Sequence, residues 1–235
     1  LSNFSSGARV SELVDSKNIA VGSGSSSNIT SGKFNTSIGI SSLNANTTGS
    51  NNTASGFATL SSNTSGSFNT ANGSQSLANN TTGIKNSASG YMSLYNSSTG
   101  SYNTANGSRA LFSNTTGSYN TANGLEALNK NTTGGFNTSS GAKSLYSNTT
   151  GSNNSATGYV SLYRNTTGSY NTANGSRALY SNTTGGQNSA TGYVSLYSNT
   201  TGSYNTANGS RALFSNTTGS QNSATGYLSL FRNTT

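Results

Sequence analysis

The sequence contains no cysteine, proline, histidine or tryptophan, and only 6% of its residues are charged. Without Cys or His, the soft or imidazole metal sites, thiol chemistry, disulfides and Ser-His-Asp relays all lack their central residue. Carboxylates are confined to Glu12, Asp15 and Glu126. An enzyme is therefore not expected, nor any cofactor. Long hydrophobic runs are missing too: none approaches the ~18 residues needed to cross a membrane, and Leu1 opens no basic and then apolar signal segment. A start without Met and a stop at the last residue of a repeat point to a mature product or to a piece of a longer chain. Apolar residues make up 29% of the chain, too few for an ordinary globular core, where about 45–50% is usual.

What is abundant is also regular. Disordered chains are typically charged and poor in aromatics, whereas here 13 Tyr and 8 Phe recur at fixed intervals among 29 Gly. Cutting the sequence at Gly32 and every seventeenth residue thereafter, up to Gly219, aligns residues 32–235 into twelve rows without an insertion. The consensus row is G-S-Y-N-T-A-N-G-S-R-A-L-F-S-N-T-T, with Gly at positions 1 and 8, Asn at 4 and Leu at 12 in every row. Position 15 is Asn in all rows but one, where Ser97 stands. Residues 15–31 read as a degenerate thirteenth row in which Asn18, Ala20 and Gly22 keep positions 4, 6 and 8, and residues 1–14 fall outside the pattern.

A 17-residue period is too short for helical-hairpin repeats, which need about 33 to 47 residues, and Asn, Thr, Ser and Gly disfavour helix interiors. The expected class is all-β: a β-solenoid or β-roll with one coil per row, residues 32–235 forming one continuous rod of roughly 55 to 60 Å. Stacking of equivalent residues would turn each column of the alignment into a ladder. The Leu column (Leu111, Leu145, Leu179, Leu213 and their equivalents) is the inward candidate, beside the small residues at positions 6 and 11. The Asn column at position 4 (Asn103, Asn171) and the Asn at position 15 would stack as amide ladders, and Gly at positions 1 and 8 (Gly107, Gly175) would supply φ > 0 or close approach at corners. One Leu and one or two Ala per coil make a thin core, so a lone chain is expected to be under-stabilised and to pack against copies of itself through its aromatics. Each row carries one ring at position 3 or position 9 but not both, which is consistent with one shared space per layer or with two duplicated row types copied together.

The net charge of +8 is ordered as well. Arg109, Lys143, Arg177 and Arg211 occupy position 10 and lie 34 residues apart, while Lys130, Arg164 and Arg232 occupy position 14 on intervening rows. Spaced about 10 Å along the axis, close to a Debye length, these columns either solvate the rod or, with rings such as Tyr102 and Tyr170, meet an anionic glycan or cell-surface receptor. Nucleic acid is not expected, because charge density is low and no recognised module is present. The N-T-T triplets make Asn114, Asn148, Asn182 and Asn216 candidate glycosylation sites, or else turn asparagines bonded to local backbone. The uncapped ends of such a rod invite end-to-end self-association.

The row at residues 103–117, N-T-A-N-G-S-R-A-L-F-S-N-T-T-G, resembles the N-T-A-x-G-x-x-A-L-x-x-N-T-T-G arrays of bacterial and phage tail-fibre proteins. More distantly, Asn18-Ile19-Ala20-Val21-Gly22 is similar to the head repeat of YadA-type trimeric autotransporter adhesins, which use a shorter row. The resemblance covers residues 32–235 well and 15–31 loosely. It implies a parallel homotrimer and a role as the structural or adhesive shaft or head of an extracellular, cell-surface or virion fibre. Two other roles fit the same rows: a self-assembling extracellular matrix filament, glycosylated or bare, and an ice-binding solenoid.

Overall fold

Residues 10–13 and 17–234 are described by a computed structural model. They form two compact units, Leu1–Ser118 and Tyr119–Thr235, each built from the same coil. In the first, β1 (Val10–Leu13) pairs antiparallel with β2 (Asn18–Val21), which leads a parallel ladder of β3 (Thr36–Ile38), β4 (Thr53–Ser55), β5 (Thr70–Asn72), β6 (Ser87–Ser89) and β7 (Thr104–Asn106). In the second, β8 (Thr121–Asn123), β9 (Thr138–Ser140), β10 (Ser155–Thr157), β11 (Thr172–Asn174), β12 (Ser189–Thr191), β13 (Thr206–Asn208) and β14 (Ser223–Thr225) pair in parallel. Every strand after β2 is three residues long and occupies positions 5 to 7 of its row, and within each unit it pairs in register with the same positions of the next. The all-β solenoid read from the period is the architecture found.

The central residue of each three-residue strand is buried and its neighbours are more exposed. Ala105, Ala156 and Ala190 are fully buried, as the two-residue alternation of a strand requires. The Leu column adds the largest apolar side chains, with Leu111, Leu145, Leu179 and Leu213 having no exposed surface, and position-11 alanines such as Ala110 and Ala178 are buried beside them. Leu230, in the last described coil, is 48% exposed.

The other half of the interior is amide. Asn171 donates from Nδ2 to Asn154 Oδ1 at 3.2 Å and Asn188 repeats the contact on Asn171 at 3.2 Å. The position-15 asparagines form a parallel column, with Asn165, Asn182 and Asn199 each donating to the preceding Asn Oδ1 at 2.8 Å. Both columns converge on position 1: the carbonyl of Gly185 accepts from Asn171 at 2.9 Å and from Asn182 at 2.8 Å. Asn103 makes the same bond to Gly117 at 2.9 Å. Buried polar groups are costly unless paired, and here the pairing repeats from coil to coil with one break, at Ser97.

Gly is required twice per coil, for different reasons. At position 8 the backbone is left-handed, with φ of 137° at Gly107 and 143° at Gly175, a region that favours glycine. At position 1 the conformation is ordinary, but a Cβ on Gly168 would collide with the carbonyl oxygen of Gly185 in the next coil. Three further positions are left-handed without glycine: position 3 (Tyr170, φ 61°), position 10 (Arg177, φ 59°) and position 12 (Leu179, φ 51°). Such geometry is rare for bulky side chains. It is held by the neighbouring coils, since the turned amides of Tyr170 and Arg177 donate to Ser152 and Tyr159, and that of Leu179 donates to Ser195. The degenerate row adopts the same frame, with Lys17, Gly24 and Ser26 left-handed at positions 3, 10 and 12.

The one break in the position-15 column leaves a mark. Ser97 is too short to reach the acceptor above it, and Ser97 Oγ and Asn80 Oδ1 are the two buried side-chain atoms left without a hydrogen-bond partner among the described residues. Ser97→Asn should restore the column and raise stability by about 1 to 3 kcal/mol, the cost of leaving such groups unpaired. Thermal or denaturant unfolding would read this as a higher midpoint.

Candidate functional site

In the second unit, the left-handed turn at position 10 brings its side chains onto the face that also carries positions 9 and 13. The result is two adjoining grooves with one plan. One, of about 300 Å³, is lined by Lys143, Tyr159, Val160, Tyr163 and Arg177, with Tyr180 and Tyr197 beyond. The other, of about 420 Å³, is lined by Arg177, Tyr193, Val194, Tyr197 and Arg211, with Phe214 and Phe231 beyond. Arg177 belongs to both. Each groove spans two rows from cation to cation, so the 34-residue alternation of row types becomes an alternation of cation and Tyr-Val along one face.

The wall of these grooves is a continuous stack of rings. Tyr146, Tyr163, Tyr180, Tyr197, Phe214 and Phe231 lie face to face, with centroids 5.1 to 5.3 Å apart. The first unit has the matching pair Tyr95–Phe112 at 5.4 Å. Parallel offset stacking of this kind adds to the burial of the rings. Sequence reading treats position 13 as one more aromatic column and gives no hint that its rings consume each other's faces. The rings at position 9 are different: Tyr159 and Tyr193 are 56% and 51% exposed, with Ser or Ala at the same position in the adjoining rows.

The basic columns separate in role. Arg177 and Arg211 are exposed and have no carboxylate partner among the described residues. Lys143 pairs with Glu126 at 3.5 Å across a partly exposed gap, and Arg109 holds the equivalent position in the first unit. At position 14, Lys130 sits over the ring of Tyr146 at 5.2 Å and Arg164 over Tyr180 at 5.4 Å, within cation–π range. Arg232 is exposed on the last coil. Tyr102 and Tyr170 are not part of the groove. Position-3 rings meet their own column instead, as in Lys85 over Tyr102 at 5.0 Å and Tyr119 stacked on Phe136 at 4.8 Å. Positions 3 and 9 flank each three-residue strand, position 3 before it and position 9 after it.

The N-T-T asparagines are not open to glycosylation in the folded coil. Asn114, Asn148, Asn182 and Asn216 have no exposed surface, and each Nδ2 already donates to the carbonyl of the Gly three residues on, at 2.8 to 2.9 Å. A sugar on that nitrogen would remove the amide ladder and would not fit inside the coil. The sequon is a turn and a core element. Folded protein secreted from a eukaryotic host should therefore carry no glycan at these four sites, which intact-mass measurement before and after glycosidase treatment will show. Glu126→Gln should lower stability by less than about 1 kcal/mol, because a partly exposed ion pair contributes little; comparing unfolding midpoints tests it.

No family model matches the chain, and no significant match is found among curated proteins or solved structures.

Proposed function

We propose that this chain is a shaft or head segment of an extracellular, cell-surface or virion fibre, whose work is mechanical reach and attachment rather than catalysis. Several parallel copies build it, three in number, as in the tail-fibre arrays and YadA-type heads that its rows resemble. The β-solenoid is compatible with that role: within each unit, successive coils repeat one cross-section and bond through backbone and side chain alike.

The observation that carries the reading is the ring column at position 3. Phe34, Phe68 and Tyr102 in the first unit and Tyr119, Phe136, Tyr170 and Tyr204 in the second are 39 to 63% exposed. Recurrent exposed rings on one face mark a contact surface. That column is neutral through most of its length, whereas the groove face is cationic and would repel a copy of itself. Copies therefore meet through position 3 and leave the groove outward. The burial of the N-T-T asparagines removes support for the glycosylated form of a matrix filament.

The test is sedimentation of the full chain combined with electron microscopy. The expected result is elongated oligomers that dissociate when Phe136, Tyr170 and Tyr204 are together replaced by Asn, a residue already found left-handed at this position in Asn51 and Asn153. Circular dichroism should stay unchanged. A monomeric parent chain at micromolar concentration would refute the assembly.

A further inference from the structure

We infer that the paired grooves of the second unit form a repeating binding site for a linear acidic polysaccharide that carries one carboxylate or sulfate per disaccharide. The inference rests on the attachment role proposed above and names its ligand class.

Three features carry it. The first is spacing. Lys143, Arg177 and Arg211 recur every second coil, which sets successive cations about 9.6 Å apart along the axis, the reach of one disaccharide. The second is the space between them. Grooves of about 300 and 420 Å³ lie at the lower end of the ~300–1,000 Å³ range of small-ligand sites, and each holds one exposed phenol ring, Tyr159 or Tyr193, beside a buried Val. A pyranose presents C–H groups on one face and hydroxyls at its rim, which suits a ring with a polar edge. The third is charge. Arg177 and Arg211 lack carboxylate partners among the described residues, so an anionic group in the groove gains charge-assisted contacts without displacing an internal pair.

A nucleic-acid strand fits less well. It carries a phosphate about every 3.4 Å along a helix axis, so most charges would face no cation. Base binding on single strands relies on open aromatic faces, and the position-13 rings spend theirs on each other.

The experiment measures binding of the full chain to hyaluronan oligosaccharides, chondroitin sulfate, neutral dextran and oligothymidylate at several salt concentrations. One or both acidic polysaccharides should bind, with affinity falling as salt rises, and dextran should not. Hyaluronan and chondroitin sulfate separate carboxylate from sulfate preference. Arg177→Gln should weaken binding at least about tenfold, the effect of one lost charge-assisted contact, because both grooves share that residue. Tyr159→Ser combined with Tyr193→Ser should weaken it by a similar factor. Gln75 already occupies position 10 and Ser176 position 9, so these variants keep the coil, and unchanged melting will confirm it. Lys33→Ser, an equal charge change on an exposed side chain of the first unit where most rows carry Ser, should leave affinity within about twofold, the effect of a screened surface charge.

Equal losses in Arg177→Gln and Lys33→Ser would overturn the proposal in favour of diffuse charge attraction. Tighter binding of oligothymidylate, or no binding of either acidic polysaccharide, would overturn it as well. A chain that sediments as an elongated oligomer yet binds no polysaccharide refutes the groove and leaves the fibre standing; a monomer that binds does the reverse.

Discussion

Adjacent coils within a unit are joined by buried carboxamides, and the geometry of that join constrains the rest. The position-1 carbonyl receives two amide donors, one from each Asn column, and a Cβ at that point would meet backbone. Gly and two Asn are thus fixed together, as parts of one hydrogen-bonded node. The node lets a coil with a single Leu and a few small side chains satisfy its buried polar groups internally. Much of the stabilisation that a larger core would draw from apolar area comes here from saturated amides in a low-dielectric interior. The orphaned atoms at Asn80 and Ser97 show what happens where one member is missing.

The interior was legible because stacking turns sequence identity into geometry. Leu179, Ala173 and Asn171 recur at fixed positions, and a residue that fits one layer fits the next, so the alignment already contains the cross-section. The corners were less legible. Left-handed backbone is ordinarily announced by Gly, Asn or Asp, yet Val160, Val194 and Leu179 adopt it because neighbouring coils claim their amides. No local propensity encodes a bond to a residue one coil away. The N-T-T triplets admitted two readings, a sequon and a turn whose Asn bonds local backbone and stacks as an amide ladder; Asn182 follows the second, donating to the carbonyl of Gly185 and to Asn165 Oδ1. The grooves lay between these cases. The position-10 cations were visible as a column with a 34-residue period, but their ring partners were sought at position 3, and only the fold shows that positions 9, 10 and 13 share a face.

The two outward faces differ in kind. Position 3 offers rings in a largely neutral column, suited to contact with another copy. Positions 9, 10 and 13 offer cations between phenols, suited to an anion. One short row therefore carries a core and two outward faces of different chemistry, with left-handed residues at positions 3, 10 and 12. This economy explains why substitution is tolerated at positions 3, 9 and 10 from row to row while positions 1, 4, 8 and 12 stay fixed within the chain.

Interchangeable rows carry a hazard of their own during folding. A strand that skips one row still finds Ala opposite Ala and Asn opposite Asn, so a slipped chain loses a single layer and extrudes a seventeen-residue loop, with little local penalty to drive correction. Such an array needs a landmark that is not repeated. β1 is one: it runs antiparallel to β2, with Val10 opposite Val21 and Leu13 opposite Asn18, a pairing found at no other strand among the described residues. Zipping that starts from this hairpin counts the coils from a fixed origin, which gives a folding pathway of low sequence separation a defined direction as well as speed.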